Sequence, residues 1–234
     1  MDREIAILMA AGLGQRMRPL TESVPKPLIP VHGKPMIETV IDALKTRSVS
    51  EIYVVTGYLR DHLEYLKEKY DGLVLVENKD YQTINNISSI MAVSDIMGQS
   101  NCFVCEADLY IPNPKALCGE HDRSCYYGKM IPGYSDDWVF DQDINGRITR
   151  IGKGGSDCYN MCGISYFLKE DAGKIADAVK RRYGQAGFED LFWDEVVDSI
   201  LNDLELYVYP IEPGKIIEID TVEELKKAEA GELR

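Results

Sequence analysis

Residues 9–28 read M-A-A-G-L-G-Q-R-M-R-P-L-T-E-S-V-P-K-P-L, and five of them, Gly12, Gly14, Arg16, Arg18 and Lys26, are of the types that bind phosphate. Glycines placed directly after an apolar run let the backbone approach a ligand closely, and their free N–H groups form an anion-binding concavity. The cations add positive charge there, and Pro25 and Pro27 fix the chain path on both sides of Lys26. Two familiar phosphate loops are excluded. A dinucleotide fingerprint needs glycine where Met17 stands, and the Gly-Lys-Ser/Thr of a Walker loop is absent.

The order A-A-G-L-G-Q-R-M-R-P-L-T followed by P-K-P-L resembles the signature of nucleotidyltransferases that activate sugar phosphates and related phosphate esters. Gln15 departs from it, since Ser or Thr is usual there. Further segments, I-N-N-I-S-S-I, E-A-D-L-Y-I, D-D-W-V-F, D-L-F-W-D-E-V-V and I-I-E-I-D-T, are similar to those of bacterial CTP:phosphocholine cytidylyltransferases, from about residue 4 to residue 226. The resemblance implies a Rossmann-like nucleotidyltransferase fold and Mg²⁺-dependent transfer of CMP from CTP to phosphocholine, releasing pyrophosphate. It implies that Ala10, Ala11, Gly12 and Gly14 bind nucleotide, that Arg16 holds the β- and γ-phosphates and that Lys26 bridges the reacting phosphates. Asp108 and Asp220 are implied as the Mg²⁺ ligands, which agrees with their residue type: both close apolar runs, and oxygen ligands suit a hard cation. Glu106, where the family more often has Asp, is assigned to the nucleotide site and left out of the metal set.

The segment with Asn85, Asn86 and Ser89 is implied to be the base pocket, where amide and hydroxyl groups can read a pyrimidine edge; helix capping by Asn85 is the alternative. Acceptor candidates are acidic and aromatic. Trp138 lies among Asp136, Asp137 and Asp141, and Trp193, Asp194 and Glu218 complete the set, with Phe192 read as core. A quaternary ammonium suits an indole face and carboxylates, so phosphocholine is the favoured acceptor. The alternatives are 2-aminoethylphosphonate or phosphoethanolamine, then a sugar-1-phosphate, then a non-catalytic nucleotide-binding subunit.

The elements that must position these groups alternate. Short apolar runs at 4–9, 51–56 and 73–76 alternate with helical patterns at 35–46 and 58–69, which predicts a parallel sheet covered on both faces. A third helical pattern at 86–97 leads into the strand N-C-F-V-C-E-A-D. Beyond residue 120 the pattern predicts strands joined by a hairpin turn at Asn145-Gly146, helices at 170–182 and 189–202, strands at 205–210 and 216–219, and a final helix capped by Thr221 and Glu224. The class is therefore α/β: a mixed, mainly parallel central sheet flanked by helices, with a small hairpin-containing substrate-binding subregion. Residues 1–234 are read as one domain, 1–120 mainly for nucleotide and 121–234 mainly for the second substrate.

Composition bounds the partners. A hydrophobic content of 45% supplies a sizeable core, and a net charge of −13 argues against nucleic acid or an anionic membrane. Of the six cysteines, Cys102 and Cys105 sit three apart on a strand and point to opposite faces, so reduced core thiols are expected rather than a metal site. His32, His62 and His121 read as surface or local structural residues. The apolar start follows Met-Asp-Arg-Glu, unlike a secretory leader, and no transmembrane run occurs, so the cytoplasm is the expected location. The sequence does not specify an oligomeric state.

Overall fold

The computed structural model describes residues 3–233. Its strands are β1 (Glu4–Ala10), β2 (Pro30–Val31), β3 (Lys34–Pro35), β4 (Glu51–Thr56), β5 (Leu73–Glu77), β6 (Asn101–Glu106), β7 (Leu109–Tyr110), β8 (Cys125–Gln142), β9 (Ile148–Phe167), β10 (Tyr207–Pro210) and β11 (Ile217–Glu218). Its α-helices are α1 (Met36–Thr46), α2 (Leu66–Lys69), α3 (Ile87–Ala92), α4 (Ser94–Met97), α5 (Lys169–Arg182), α6 (Trp193–Ser199) and α7 (Val222–Glu229).

Seven strands form the central sheet in the order β10-β8-β9-β6-β1-β4-β5. The pairs β1–β4, β1–β6, β4–β5 and β10–β8 are parallel, whereas β9 runs antiparallel to both β6 and β8. The expected mixed, mainly parallel sheet is thus present. A continuous apolar run makes β1 a central strand because both of its faces must be covered. Ala6 and Leu8 pack with Ile37, Ile41 and Leu44 of α1 on one side, while Ile5 and Ile7 pack with Ile175 and Val179 of α5 on the other. Strand β6 obeys the same alternation. Cys102 and Cys105 enter opposite cores, and neither is in a disulfide.

Strands β1, β4, β5 and β6 run parallel and end at the same edge of the sheet, where Asp137 and Trp138 of the β8–β9 ribbon line one hollow with Met9 and Asp108. The ribbon's first half continues the sheet, with Cys125 opposite Tyr166. Beyond Ile131 it folds back, so that Val139 pairs with Gly152 and also with Asn160. The Asn145-Gly146 turn lies where expected, with Gly146 at φ 80°.

Three predicted helices are shorter than their patterns. Residues 58–69 give a 3₁₀ turn at Arg60–Leu63 and the one-turn α2. Residues 86–97 break at Val93, where the Ser94 hydroxyl donates to the Met91 carbonyl and competes with the helical ladder. Helix α6 begins only at Trp193, because the Glu195 carboxylate accepts from the Phe192 N–H and caps the helix there. The final helix follows its sequence signature, with Thr221 and Glu224 in a reciprocal capping box. Among the described residues no helix is long and apolar enough to cross a membrane.

The start of β1 is tied to α1 and to the 117–119 segment by Arg47. This guanidinium donates to both Glu4 carboxylate oxygens at 2.8 Å and to the carbonyls of Leu117 and Gly119, and it lies 5.0 Å from the Phe103 ring centroid. Replacing one partner of a mostly buried, multiply bonded ion pair strands the other. Arg47→Met is therefore expected to lower stability by about 2–3 kcal/mol, measured as a shift in urea midpoint. A loss below about 1 kcal/mol, the range of an exposed pair, would contradict this role.

Candidate active site

Strand β1 delivers the glycine-rich segment to the sheet edge, and three short 3₁₀ turns, Gln15–Met17, Leu20–Glu22 and Lys26–Leu28, fold it back. Gly14 takes a left-handed conformation at φ 60°, and a Cβ there would meet Thr21 Cγ2 at 2.9 Å and Lys26 Cβ at 3.0 Å. The Thr21 hydroxyl locks this contact by donating to the Gly14 carbonyl at 2.8 Å. At Gly12 a Cβ would meet nothing within 4 Å, so the backbone there faces open space. Met17 is fully buried with Ile29, Val31 and Met36, which anchors the segment and leaves Arg16 outside it.

Lys26 is buried, and its ammonium donates to Asp108 at 2.5 Å and to Asp220 at 2.6 Å. Arg16 reaches the same Asp220 oxygen at 2.7 Å. Asp108 follows β6 and precedes β7, and Asp220 follows β11. Pairing of β7 with β11, extended by the Ile219 N–H donating to the Asp108 carbonyl at 3.2 Å, brings the two acids together. Burial alone would lower the pKa of Lys26, but Asp108 and Asp220 outweigh it and hold the ammonium above the usual lysine value. For Asp220, burial works upward and is overcome by Lys26 and Arg16, which keep it below the usual carboxylate value.

Glu106, Asp108 and Glu218 form a second constellation, each offering a carboxylate oxygen within 4.8 Å of the others. Burial, then the neighbouring Glu218 and Asp108 charges, push Glu106 well above the usual range. Burial, then Asp108 and Asp220, push Glu218 up to about 8. Asp108 Oδ1 is buried with no hydrogen-bond partner. Crowded carboxylates that resist ionising together, plus an unpaired oxygen, fit a hard divalent cation. Glu106, left out of the metal set on sequence grounds, stands beside Asp108 in this cluster.

Two further hollows adjoin this centre. One, of about 300 Å³, is lined by Ala11, Gly12, Gly14, Asn85, Asn86 and Ser89 together with Asn78 and Tyr81. Asn85 and Asn86 do not cap a helix with their side chains. The Asn85 amide donates to the Asp190 carbonyl at 3.0 Å, and Asn86 Oδ1 accepts from the Trp193 N–H at 2.9 Å, tying this wall to the start of α6. Ser89 accepts from Asn78 at 3.2 Å. Ala10 belongs to the hollow around Lys26, of about 370 Å³.

The larger hollow, of about 660 Å³, is lined by Glu106, Asp136, Asp137, Trp138, Asp194 and Glu218, and also by Phe192 and Lys153. Trp138 and Phe192 meet edge to face at 5.4 Å. Asp194 lies at its buried base, accepting from the Tyr126 hydroxyl at 3.0 Å, and burial pushes its carboxyl up to about 7. The sequence reading exchanged two aromatics. Trp193, expected to face the second ligand, is 3% exposed and packs against Tyr126 and Phe167, whereas Phe192, expected in the core, faces the hollow. The phase of α6 explains the exchange: its buried face carries Trp193, Val196 and Val197, and Phe192 precedes it in extended conformation. Lys153 was missed as well. It is the cross-strand partner of Trp138, and counting the register back from the Asn145-Gly146 turn brings the two together once the ribbon's irregularities are allowed for.

The same arrangement of elements recurs in known proteins. A profile of the MobA-like NTP transferase domain matches residues 6–123. The chain is 50% identical over 230 residues to the 2-aminoethylphosphonate cytidylyltransferase of Lancefieldella rimae, covering 98% of this chain and 94% of that one. It is 34% identical to the choline-phosphate cytidylyltransferase of Streptococcus pneumoniae, covering 96% of each. The solved structure of the CTP:phosphocholine cytidylyltransferase of that organism superposes with a TM-score of 0.89 at 34% identity, over 97% of this chain and 98% of the other. A glycine-rich segment, a lysine held by two acids at a sheet edge and similarity over 94–98% of each chain to two cytidylyltransferases lead to a single assignment: the chain belongs to the MobA-like NTP transferase family and is a cytidylyltransferase.

Proposed function

We propose that the protein transfers CMP from CTP to 2-aminoethylphosphonate, forming CMP-2-aminoethylphosphonate and pyrophosphate. The observation that carries this reading is the chemistry of the 660 Å³ hollow, where Asp136, Asp137 and Asp194, apart from the Glu106 and Glu218 carboxyls beside Asp108, outnumber the rings of Trp138 and Phe192. A primary ammonium offers three N–H donors to such oxygens, and a trimethylammonium offers none. The 50% identity to an enzyme named for that phosphonate supports the same acceptor. Phosphocholine, favoured on sequence grounds, is the second reading, supported by the Trp138–Phe192 corner and the 34% identical relatives.

In this reading the acceptor's ammonium binds the acidic hollow and its phosphonate faces the centre around Lys26. A phosphonate oxygen attacks the α-phosphorus of CTP in line, a P–O bond forms, and the bond to the β-phosphate breaks to release pyrophosphate. The acceptor oxygen carries negative charge already, so no general base is needed. Ala11, Asn85, Asn86 and Ser89 hold the cytosine, and the N–H groups around Gly12 and Gly14 lie along the triphosphate. Arg16 draws off charge at the departing phosphates, while Lys26 offsets charge developing at the reacting ones. Mg²⁺ is the cation we assign to Asp108 and Asp220, with Glu106 and Glu218 beside them; when bound it neutralises and polarises phosphate oxygens.

Two measurements check this. Pyrophosphate release is expected to be fastest with CTP plus 2-aminoethylphosphonate when CTP, UTP, GTP, ATP and dTTP are each offered with that acceptor, phosphocholine, phosphoethanolamine or glucose-1-phosphate. Faster release with phosphocholine would install the second reading, and indifference to the base would overturn the pocket at Asn85. Asp108→Asn and Asp220→Asn should each raise the Mg²⁺ concentration for half-maximal rate by roughly tenfold or more, at least the loss typical of a metal site's outer partners. An unmoved titration would place the metal elsewhere.

A further inference from the structure

Lys153 is a cation on the wall of a hollow that is itself meant for a cation. It faces Trp138 across the ribbon, and its Nζ lies 5.8 Å from the Trp138 ring centroid and 5.3 Å from that of Phe192. Both distances fall within the range of cation–π attraction. Among the described residues Nζ has no carboxylate within ion-pairing distance, although Asp136 and Asp137 line the same hollow. Its partners are the two ring faces.

We propose that Lys153 is a specificity-determining residue: its ammonium occupies the aromatic corner that a quaternary ammonium would require, so the hollow admits primary-amine acceptors in preference to trimethylated ones. This rests on the acceptor reading given above and supplies a physical cause for it. A trimethylammonium has no N–H to donate, so ring faces are its main source of directed attraction. Those faces already hold a like charge, and a second cation beside it is repelled in a cavity partly screened from water. A primary ammonium avoids the competition by hydrogen-bonding to carboxylates that line the same hollow, such as Asp194 at its buried base. Lys153 thus discriminates by disfavouring one ligand and not by binding the other.

The test compares kcat/KM for phosphocholine and for 2-aminoethylphosphonate in wild type, Lys153→Ala and Lys153→Arg. The expected result is that Lys153→Ala moves the ratio toward phosphocholine by about tenfold or more, equivalent to about 1.4 kcal/mol. Lys153→Arg, which keeps a cation able to stack on the rings, should hold the wild-type ratio. An unchanged ratio in Lys153→Ala, or equal losses for both acceptors as expected of a lysine that grips their shared phosphorus oxyanion, would overturn the proposal. A wild type that prefers phosphocholine would overturn the acceptor reading alone, because the change in ratio between variant and wild type still decides the role of Lys153.

Discussion

The Lys26 ammonium, held between Asp108 and Asp220, is the interaction on which the rest of the structure depends. Its three participants come from points far apart in the chain, and each arrives by a separate device. Gly14 packs against the Lys26 stem where no side chain fits, Asp108 leaves the end of β6, and Asp220 leaves β11 after its pairing with β7. A buried lysine is costly without partners. Sheet order, the glycine-rich fold-back and the capping box at Thr221 all serve to supply them.

This arrangement reconciles an acidic protein with an anionic substrate. Arg16 and Lys26 gather positive charge at one end of the cleft, the Glu106, Asp108 and Glu218 carboxylates crowd its centre, and the far hollow is lined by acids and by Lys153. The cleft thereby joins a cationic centre at Lys26 to a hollow rich in carboxylates. The β8–β9 ribbon adds the wall that carries Asp137 and Trp138, and α6 fixes the base through Asp194.

Much of this was legible from residue types. The buried strands declared themselves as continuous apolar runs, and 51–56 matched β4 to the residue because both of its faces are covered. Opposite burial of Cys102 and Cys105 followed from strand alternation alone. Helix continuity was harder to read: side-chain competition at Ser94 breaks a pattern that periodicity presents as unbroken. The exchange of Phe192 and Trp193 has the same origin, since the phase of a short helix depends on where it is capped. Lys153 was invisible because a ribbon with register shifts conceals which residues face each other. Acidic and aromatic composition led to a quaternary ammonium, and so to phosphocholine as the favoured acceptor, because composition does not show that Lys153 lies against the Trp138 and Phe192 rings.

The most direct measurement is the turnover of Lys26→Ala with CTP, Mg²⁺ and acceptor at saturation, on protein whose far-UV circular dichroism matches wild type. If Lys26 offsets charge in the transition state, kcat falls by about 100-fold or more, the loss typical of removing one preorganised donor. A folded variant that turns over near the wild-type rate would contradict the account.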